Sequence, residues 1–289
     1  MGNTLAKNSF GITANPGGAF NGTDVTLFYG PSTWPSMKAS TPVGVIPCWR
    51  KVAGKPCTWD QSKIWENLTV TANGGVPQAG DIELHKAAVA ALVQARIPDP
   101  DFAGVGIFDH EDWRALYGEN DDGLSYSNYY STLLVKKAHP DWTNATQISL
   151  EAERQYNAGS QLFFTETLKV AKQLRPKGRF GFYEYPMAPL PELLWLWQAV
   201  DVLAGSAYVR SANGTASIVN NSLVAAAMVE AAGGKRPEIL TYVWLWPGAK
   251  VVSNDQMLAS IAVPAGLGAD GILLWGSSSD AHVSGCATL

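Results

Sequence analysis

The chain has 289 residues, of which 46% are hydrophobic and 16% charged, and its formal net charge is -4. That is enough apolar side chain for a large core and too little charge for a disordered chain. The absence of any Lys/Arg run argues against nucleic acid or an anionic membrane surface as the main partner. No apolar run approaches the roughly 20 residues of a membrane-spanning helix.

Residues 1–23 define no clear element, although Ser9 to Ala14 is a candidate first strand. The opening MGNTLAKNSFG lacks the apolar middle of a signal peptide, so either the chain is cytosolic or its signal lies outside this sequence. Asp24 to Tyr29 reads as a strand closed by Gly30-Pro31, and residues 31–72, rich in Pro and Trp, read as a long loop region. After the turn cluster Asn73 to Gln78, Asp81 to Arg96 has apolar residues near helical spacing, with Asp81 as the cap and Pro98 as the stop. Val105 to Phe108 is a buried strand. A long helix runs from Thr146 or Ser149 to Leu174, and a strand follows from Arg179 to Tyr185. Val200 to Val209 is strand-like, Ser217 to Ala232 helical, Ile239 to Trp246 strand-like, Ser253 to about Ala262 helical, and Gly268 to Trp275 a last buried strand. Strands alternating with helices predict an α/β fold of parallel β/α units, best satisfied by a single (β/α) barrel domain over 1–289, since such a barrel takes roughly 250 residues. A doubly wound open sheet is the alternative, but no strand is followed by a G-x-G-x-x-G or P-loop motif.

The stretch Gly104 to Arg114, GVGIFDHEDWR, carries the chemistry. If the strand continues, Asp109 and Glu111 point the same way, roughly 7 Å apart. Two carboxylates that share a pocket cannot both ionise freely, and the one whose pKa is pushed up can serve as a proton donor. By itself a D-x-E is more often a pair of solvated loop acids. Eleven Trp and ten Tyr fit either a sugar-binding cleft or ordinary core packing. Cys48, Cys57 and Cys286 form neither a dense disulfide framework nor, with four scattered histidines, a zinc site, so no metal or cofactor is expected. Gly276-Ser277-Ser278 is not a nucleophile elbow. Sequons at Asn21, Asn67, Asn144, Asn213 and Asn220 lean toward a secretory glycoprotein.

The blocks LFYGPSTWP, NGGVPQAG, IPDPDFAGVGIFDHEDWR, HPDW, ETLKVAKQLRPKGRFGFYEYP, AYVR, LTYVW and GADGILLWGSSSD occur in this order along most of the chain. Together they resemble the animal and insect-venom hyaluronidases of glycoside hydrolase family 56. The resemblance implies a distorted (β/α) barrel that cleaves β-1,4 linkages after N-acetylhexosamine in hyaluronan and often chondroitin, without a cofactor. The nucleophile would be the substrate's own acetamido oxygen. Glu111 would be the general acid that later activates water, Asp109 would orient the acetamido N–H, and Tyr183 would contact the acetamido carbonyl.

By the same carry-over, Tyr208 and Tyr242 are further cleft tyrosines, Trp275 walls the acetamido pocket, Ser277 and Ser278 line the groove, and Tyr29 lies near the outer sugars. Alternation adds Tyr185 on the side of Tyr183. Arg114 is read either as the partner of a site or substrate carboxylate or as a structural ion pair. His110 replaces the large apolar or aromatic residue usual at its position and is read as a histidine turned away from the pocket, and Ala115 replaces a proline. Relatives carry a strand and helix before the LFYGP block and a helix after the cysteine matching Cys286. The resemblance places the usual partner of that cysteine in the part before the LFYGP block, which implies an unpaired Cys286 with Cys48 and Cys57 bridging each other; either Ser9 to Ala14 substitutes as the first strand or the sequence is a fragment of a longer chain. The implied protein is a monomeric, extracellular or lysosomal endoglycosidase acting on a glycosaminoglycan. A catalytically inactive glycan-binding or adhesion protein on the same barrel is the alternative.

Overall fold

The computed structural model describes residues 15, 19, 21–39, 68–121, 124–208, 211–244 and 252–276. In chain order its strands are β1 (Val25–Tyr29), β2 (Ser36–Ala39), β3 (Leu68–Ala72), β4 (Val105–Asp109), β5 (Arg179–Tyr183), β6 (Val202–Ala204), β7 (Glu238–Trp244) and β8 (Gly271–Trp275). Its helices are α1 (Ile82–Arg96), α2 (Tyr126–Ala138), α3 (Ala145–Leu174), α4 (Leu194–Ala199), α5 (Ala212–Ala231) and α6 (Asn254–Leu267). The chain divides into two compact units, one of Met1–Phe28, Arg96–Asp109 and Arg175–Leu289, the other of Tyr29–Ala95 and His110–Leu174.

The first unit is an α/β fold built on a curled parallel sheet of order β1-β4-β5-β6-β7-β8. Each pairing from β4 to β8 is parallel, with Phe108 opposite Phe182, Gly181 opposite Val202, Val202 opposite Glu238 and Tyr242 opposite Leu273. Parallel neighbours need a crossover, and α4, α5 and α6 supply those after β5, β6 and β7 in the expected strand-helix rhythm. Alternation splits the sheet into two faces. Leu27, Val105, Ile107, Tyr183, Val202, Ala204 and Tyr242 form one cluster. Phe28, Phe108, Phe180 and Phe182 pack on the other, where Phe28 stacks on Phe108 at 4.6 Å and Phe108 lies 5.7 Å from Phe182. Burying side chains on both faces is what near-continuous apolar runs such as VGIF require.

The second unit corrects the reading of 31–72 as one loop region. β2 and β3 pair antiparallel, with Met37 opposite Val70 and Ala39 opposite Leu68; residues 40–67, with Cys48 and Cys57, lie outside the described residues. Asp81 caps α1 as its position predicts, its Oδ1 accepting from the amides of Glu83 (2.9 Å) and Leu84 (3.0 Å). The core is aromatic, with Trp34, Trp113, Tyr156, Phe163 and Phe164 all buried. His85 is buried with them, its Nε2 2.8 Å from Thr167 Oγ1 and its Nδ1 3.2 Å from Thr33 Oγ1. Desolvation lowers the His85 pKa to about 4, so the ring is neutral at physiological pH.

Other boundaries shift modestly. α5 begins at Ala212, ahead of the expected Ser217, because Ser211 Oγ caps it by accepting from the Gly214 amide at 3.2 Å. α6 runs past Ala262 and through Pro264 to end at Gly268, whose φ of 90° is the left-handed conformation of a helix stop. β8 is half-buried rather than buried, with Ile272 and Leu274 exposed. The candidate first strand, Ser9 to Ala14, lies outside the described residues.

Candidate active site

Five strands of the first unit end on a cluster of tyrosines and tryptophans. β4, β5 and β7 carry Asp109, Tyr183 and both Tyr242 and Trp244 near their C-terminal ends; β8 ends on Trp275. β6 is followed by Ser206, which bridges to Tyr242, and by Tyr208. Alternation sets Asp109 on the face of Val105 and Ile107, the face that also bears Tyr183 and Tyr242.

The rings meet in sequence around the sheet. Tyr183 stands edge-on to Tyr242 with centroids 5.1 Å apart and lies 6.0 Å from Tyr208. Tyr208 is 5.6 Å from Trp244 and 5.7 Å from Trp275, and those two tryptophans meet edge to face at 5.0 Å. Tyr183 and Tyr242 are buried, whereas Tyr208, Trp244 and Trp275 are half-buried and keep part of their rings exposed. The Tyr183 hydroxyl lies 3.1 Å from Ser206 Oγ. Burial, then a hydrogen bond shared with Tyr183 and the negative charge of Asp109, hold the Tyr208 phenol far above its ordinary pKa. It therefore stays a neutral hydrogen-bond donor, while Asp109 places negative charge beside the phenols.

The residues predicted from sequence are not all gathered here. Tyr183, Tyr208, Tyr242, Trp275 and Asp109 are brought together in the first unit. Tyr185 is not placed by strand alternation, because β5 stops at Tyr183 and Glu184 has φ of 68°, which turns the chain. The Tyr185 ring is instead 2% exposed and packs against Trp197 of α4 at 6.2 Å. β4 likewise stops at Asp109, so the predicted strand alternation does not reach Glu111. Glu111 is an exposed residue in the following turn, within the second unit. His110 does turn inward, buried against Trp34 at 4.1 Å. Arg114 is half-buried; its amide donates to Asn120 Oδ1 at 2.8 Å, and its carbonyl accepts from the Tyr156 hydroxyl at 2.9 Å. Tyr29, at the end of β1, is 58% exposed. Ser277, Ser278 and Cys286 lie outside the described residues.

Sequence reasoning missed Ser206 and Trp244. Each lies two residues from a predicted tyrosine on an extended segment, Ser206 before Tyr208 and Trp244 after Tyr242, and period two puts such residues on one side. Among the described residues no group of three His, Cys, Asp or Glu side chains gathers to hold a metal ion. No helix among them is long and apolar enough to cross a membrane.

The sequence profile of the hyaluronidase family, glycoside hydrolase family 56, matches residues 63–189. The chain is 28% identical to the hyaluronidase of Apis mellifera over 94% of its own length and 71% of that protein's, and 28% identical to the hyaluronidase of Vespa magnifica over 97% and 79%. Its fold matches bee venom hyaluronidase solved in complex with a hyaluronic acid tetramer, with a TM-score of 0.80, 27% identity, and coverage of 97% of this chain and 87% of that one. The chain is thus similar to the hyaluronidases of glycoside hydrolase family 56 over nearly its whole length. Its curled sheet is the counterpart of the distorted barrel of the bee enzyme, also matched in a monoclinic crystal form with a TM-score of 0.76. Asp109 on β4 and Tyr183 on β5 fall within the profile-matched segment, while Tyr208, Tyr242, Trp244 and Trp275 lie beyond it.

Proposed function

We propose that the chain is an endo-β-N-acetylhexosaminidase that hydrolyses β-1,4 bonds in hyaluronan or chondroitin with retention, the substrate's acetamido group acting as nucleophile. The observation that carries this reading is the tyrosine and tryptophan cluster that meets Asp109 at the strand ends of the first unit. A neutral cup of phenols and indoles beside one carboxylate suits an uncharged N-acetylhexosamine ring that develops positive charge at its anomeric carbon.

In the first step the acetamido oxygen forms a bond to C1 as the C1–O glycosidic bond breaks, and Glu111 gives its proton to the departing oxygen. Asp109 accepts a hydrogen bond from the acetamido N–H and stabilises the oxazolinium that forms, while Tyr183 donates to the acetamido oxygen and fixes its direction. In the second step Glu111 takes a proton from water, the water oxygen bonds to C1, and the acetamido group is released with the anomeric configuration retained. Trp275 walls the acetamido group. Tyr208 and Tyr242 complete the cup, and Trp244 extends its apolar face. Tyr29 is assigned to the outer sugars, Ser277 and Ser278 to the lining of the groove, and Arg114 to pairing with a site or substrate carboxylate, while Tyr185, packed on Trp197, supports the strand end that carries Tyr183. The resemblance to venom enzymes supports a secreted protein.

The test is reducing-end release from hyaluronan and unsulfated chondroitin by the wild type and by Glu111→Gln, with oligosaccharide binding measured in parallel. Wild-type release with at least about a hundredfold loss in the variant, and binding retained, is the expected result. Binding by both proteins with release by neither would instead make this a glycan-binding member of the family, and full activity of the variant would remove Glu111 from its role.

A further inference from the structure

Glu111 and Asp112 are exposed and lie in a turn that belongs to no helix or strand, so no backbone ladder holds them. Their immediate neighbours are the opposite: His110 is 5% exposed and Trp113 1%. Both neighbours are anchored to the same short segment. The His110 ring lies flat on Trp34, with centroids 4.1 Å apart and planes 15° apart, and stands edge-on to Trp113 at 4.6 Å and to Phe164 at 6.0 Å. Trp113 donates its Nε1–H to the carbonyl of the next residue along, Pro35, at 2.7 Å. Trp34 is itself fixed, its amide donating to the Pro31 carbonyl at 3.2 Å and its ring 4.5 Å from His85.

We propose that His110 is a positioning residue for Glu111: its imidazole, stacked on Trp34, forms with the Trp113–Pro35 hydrogen bond a two-point anchor that fixes the backbone from which Glu111 projects. The proposal rests on the reading of Glu111 as the proton donor. The ring acts through shape. Its Nε2 is buried and has no hydrogen-bond partner among the described residues, so that atom adds no polar contact that a phenyl ring would lack. A general acid must hold its carboxyl within a fraction of an ångström of the leaving oxygen, and an exposed turn gains that order from its anchors; the Tyr126 hydroxyl, donating to the Asp112 carbonyl at 2.7 Å, holds the far side of Glu111, and His110 the near side. The anchor also requires an uncharged ring. The groups packed around it are Trp34, Trp113 and Phe164, which carry no charge, and the charges that reach it are those of His85 and Arg114. Burial opposes a proton on the imidazole most, and the positive charge of Arg114, joined by that of His85 once acid protonates it, opposes it further, so His110 titrates well below the ordinary histidine range.

The test compares the wild type with His110→Phe and His110→Ala in three measurements: kcat and KM on hyaluronan, the pH profile of kcat, and hydrogen–deuterium exchange of the Glu111–Trp113 amides. His110→Phe keeps a flat ring on Trp34 and should retain kcat within about threefold, with activity extending to lower pH than in the wild type, because no imidazole remains to protonate. His110→Ala should lower kcat by about tenfold or more with KM changed less than about threefold, and should speed exchange at Glu111–Trp113. Equal losses in both variants would show that the imidazole acts chemically, and an alanine variant with wild-type kcat and exchange would show that no anchor operates; either result overturns the proposal. Exchange is read independently of turnover, so faster exchange in His110→Ala without any change in kcat would leave the anchor standing and remove Glu111 as proton donor.

Discussion

The hydroxyls of Tyr183 and Ser206 lie 3.1 Å apart, one at the end of β5 and the other just beyond β6. The serine therefore holds the phenol in one of its two planar settings. Removing the Tyr183 hydroxyl as Tyr183→Phe leaves the ring against Tyr242 and Tyr208, so the fold should persist with an unchanged circular dichroism melt. Turnover of hyaluronan should fall about tenfold to a hundredfold, as for loss of one transition-state hydrogen bond. Ser206→Ala, which only frees the phenol to rotate, should cost about threefold to tenfold. Equal activity in the wild type and Tyr183→Phe would remove the tyrosine from the reaction.

Acid should destabilise the second unit through His85. Burial lowers the pKa of this histidine in the folded chain to about 4, against 6.5 for an exposed ring. The unfolded chain thus binds the proton first. The stability that comes from keeping the ring neutral is complete above pH 6.5 and is lost as the pH falls from 6.5 to about 4. The difference amounts to about 3 kcal/mol. A series of urea midpoints between pH 7 and pH 4 should show this slope, and His85→Gln, which does not titrate, should flatten it. An identical slope in the variant would assign the acid sensitivity elsewhere.

Gly181 is fixed by sheet spacing rather than by backbone angle. A Cβ built on it would fall on the carbonyl oxygen of Val202 in the neighbouring strand. Gly181→Ala should push β5 and β6 apart and cost about 1–3 kcal/mol, seen as a lower thermal midpoint. Because β5 carries Tyr183 and β6 leads to Ser206, activity should fall below what the lost stability alone explains. An alanine variant with the wild-type midpoint would mean that the strands shift without cost.

Much of the parallel sheet was legible because each of its strands is an apolar run closed by a turn or a helix cap, and because Asp81 is a start signal whose chemistry is local, whereas the cap at Ser211 and the helix stop at Gly268 went unread. α2 was not legible. Its sequence, YSNYYSTLLVKKA, is rich in residues that favour other conformations, and it is held by burying Ser127, Ser131 and Val135 beside α3. The site was legible as a set of residue types, yet two positions were placed by extending strand alternation beyond a strand's end. Tyr185 follows the left-handed Glu184, and Glu111 follows the last residue of β4. Where a strand stops depends on pairing with its neighbours, which a single run of residues does not encode.

The second unit comes from two stretches of the chain, residues 30–95 between β1 and β4 and residues 110–174 between β4 and β5. From β5 onward every strand meets the next one in the chain after a single helical crossover, so those pairings close short loops and can form early and locally. β1 and β4 have no such route, since each waits on a long excursion whose two halves are clasped together by Trp34 with His110 and by Pro35 with Trp113. The strand that carries Asp109 therefore pairs with β1 and with β5 only by closing long loops, whereas the pairings from β5 to β8 close short ones.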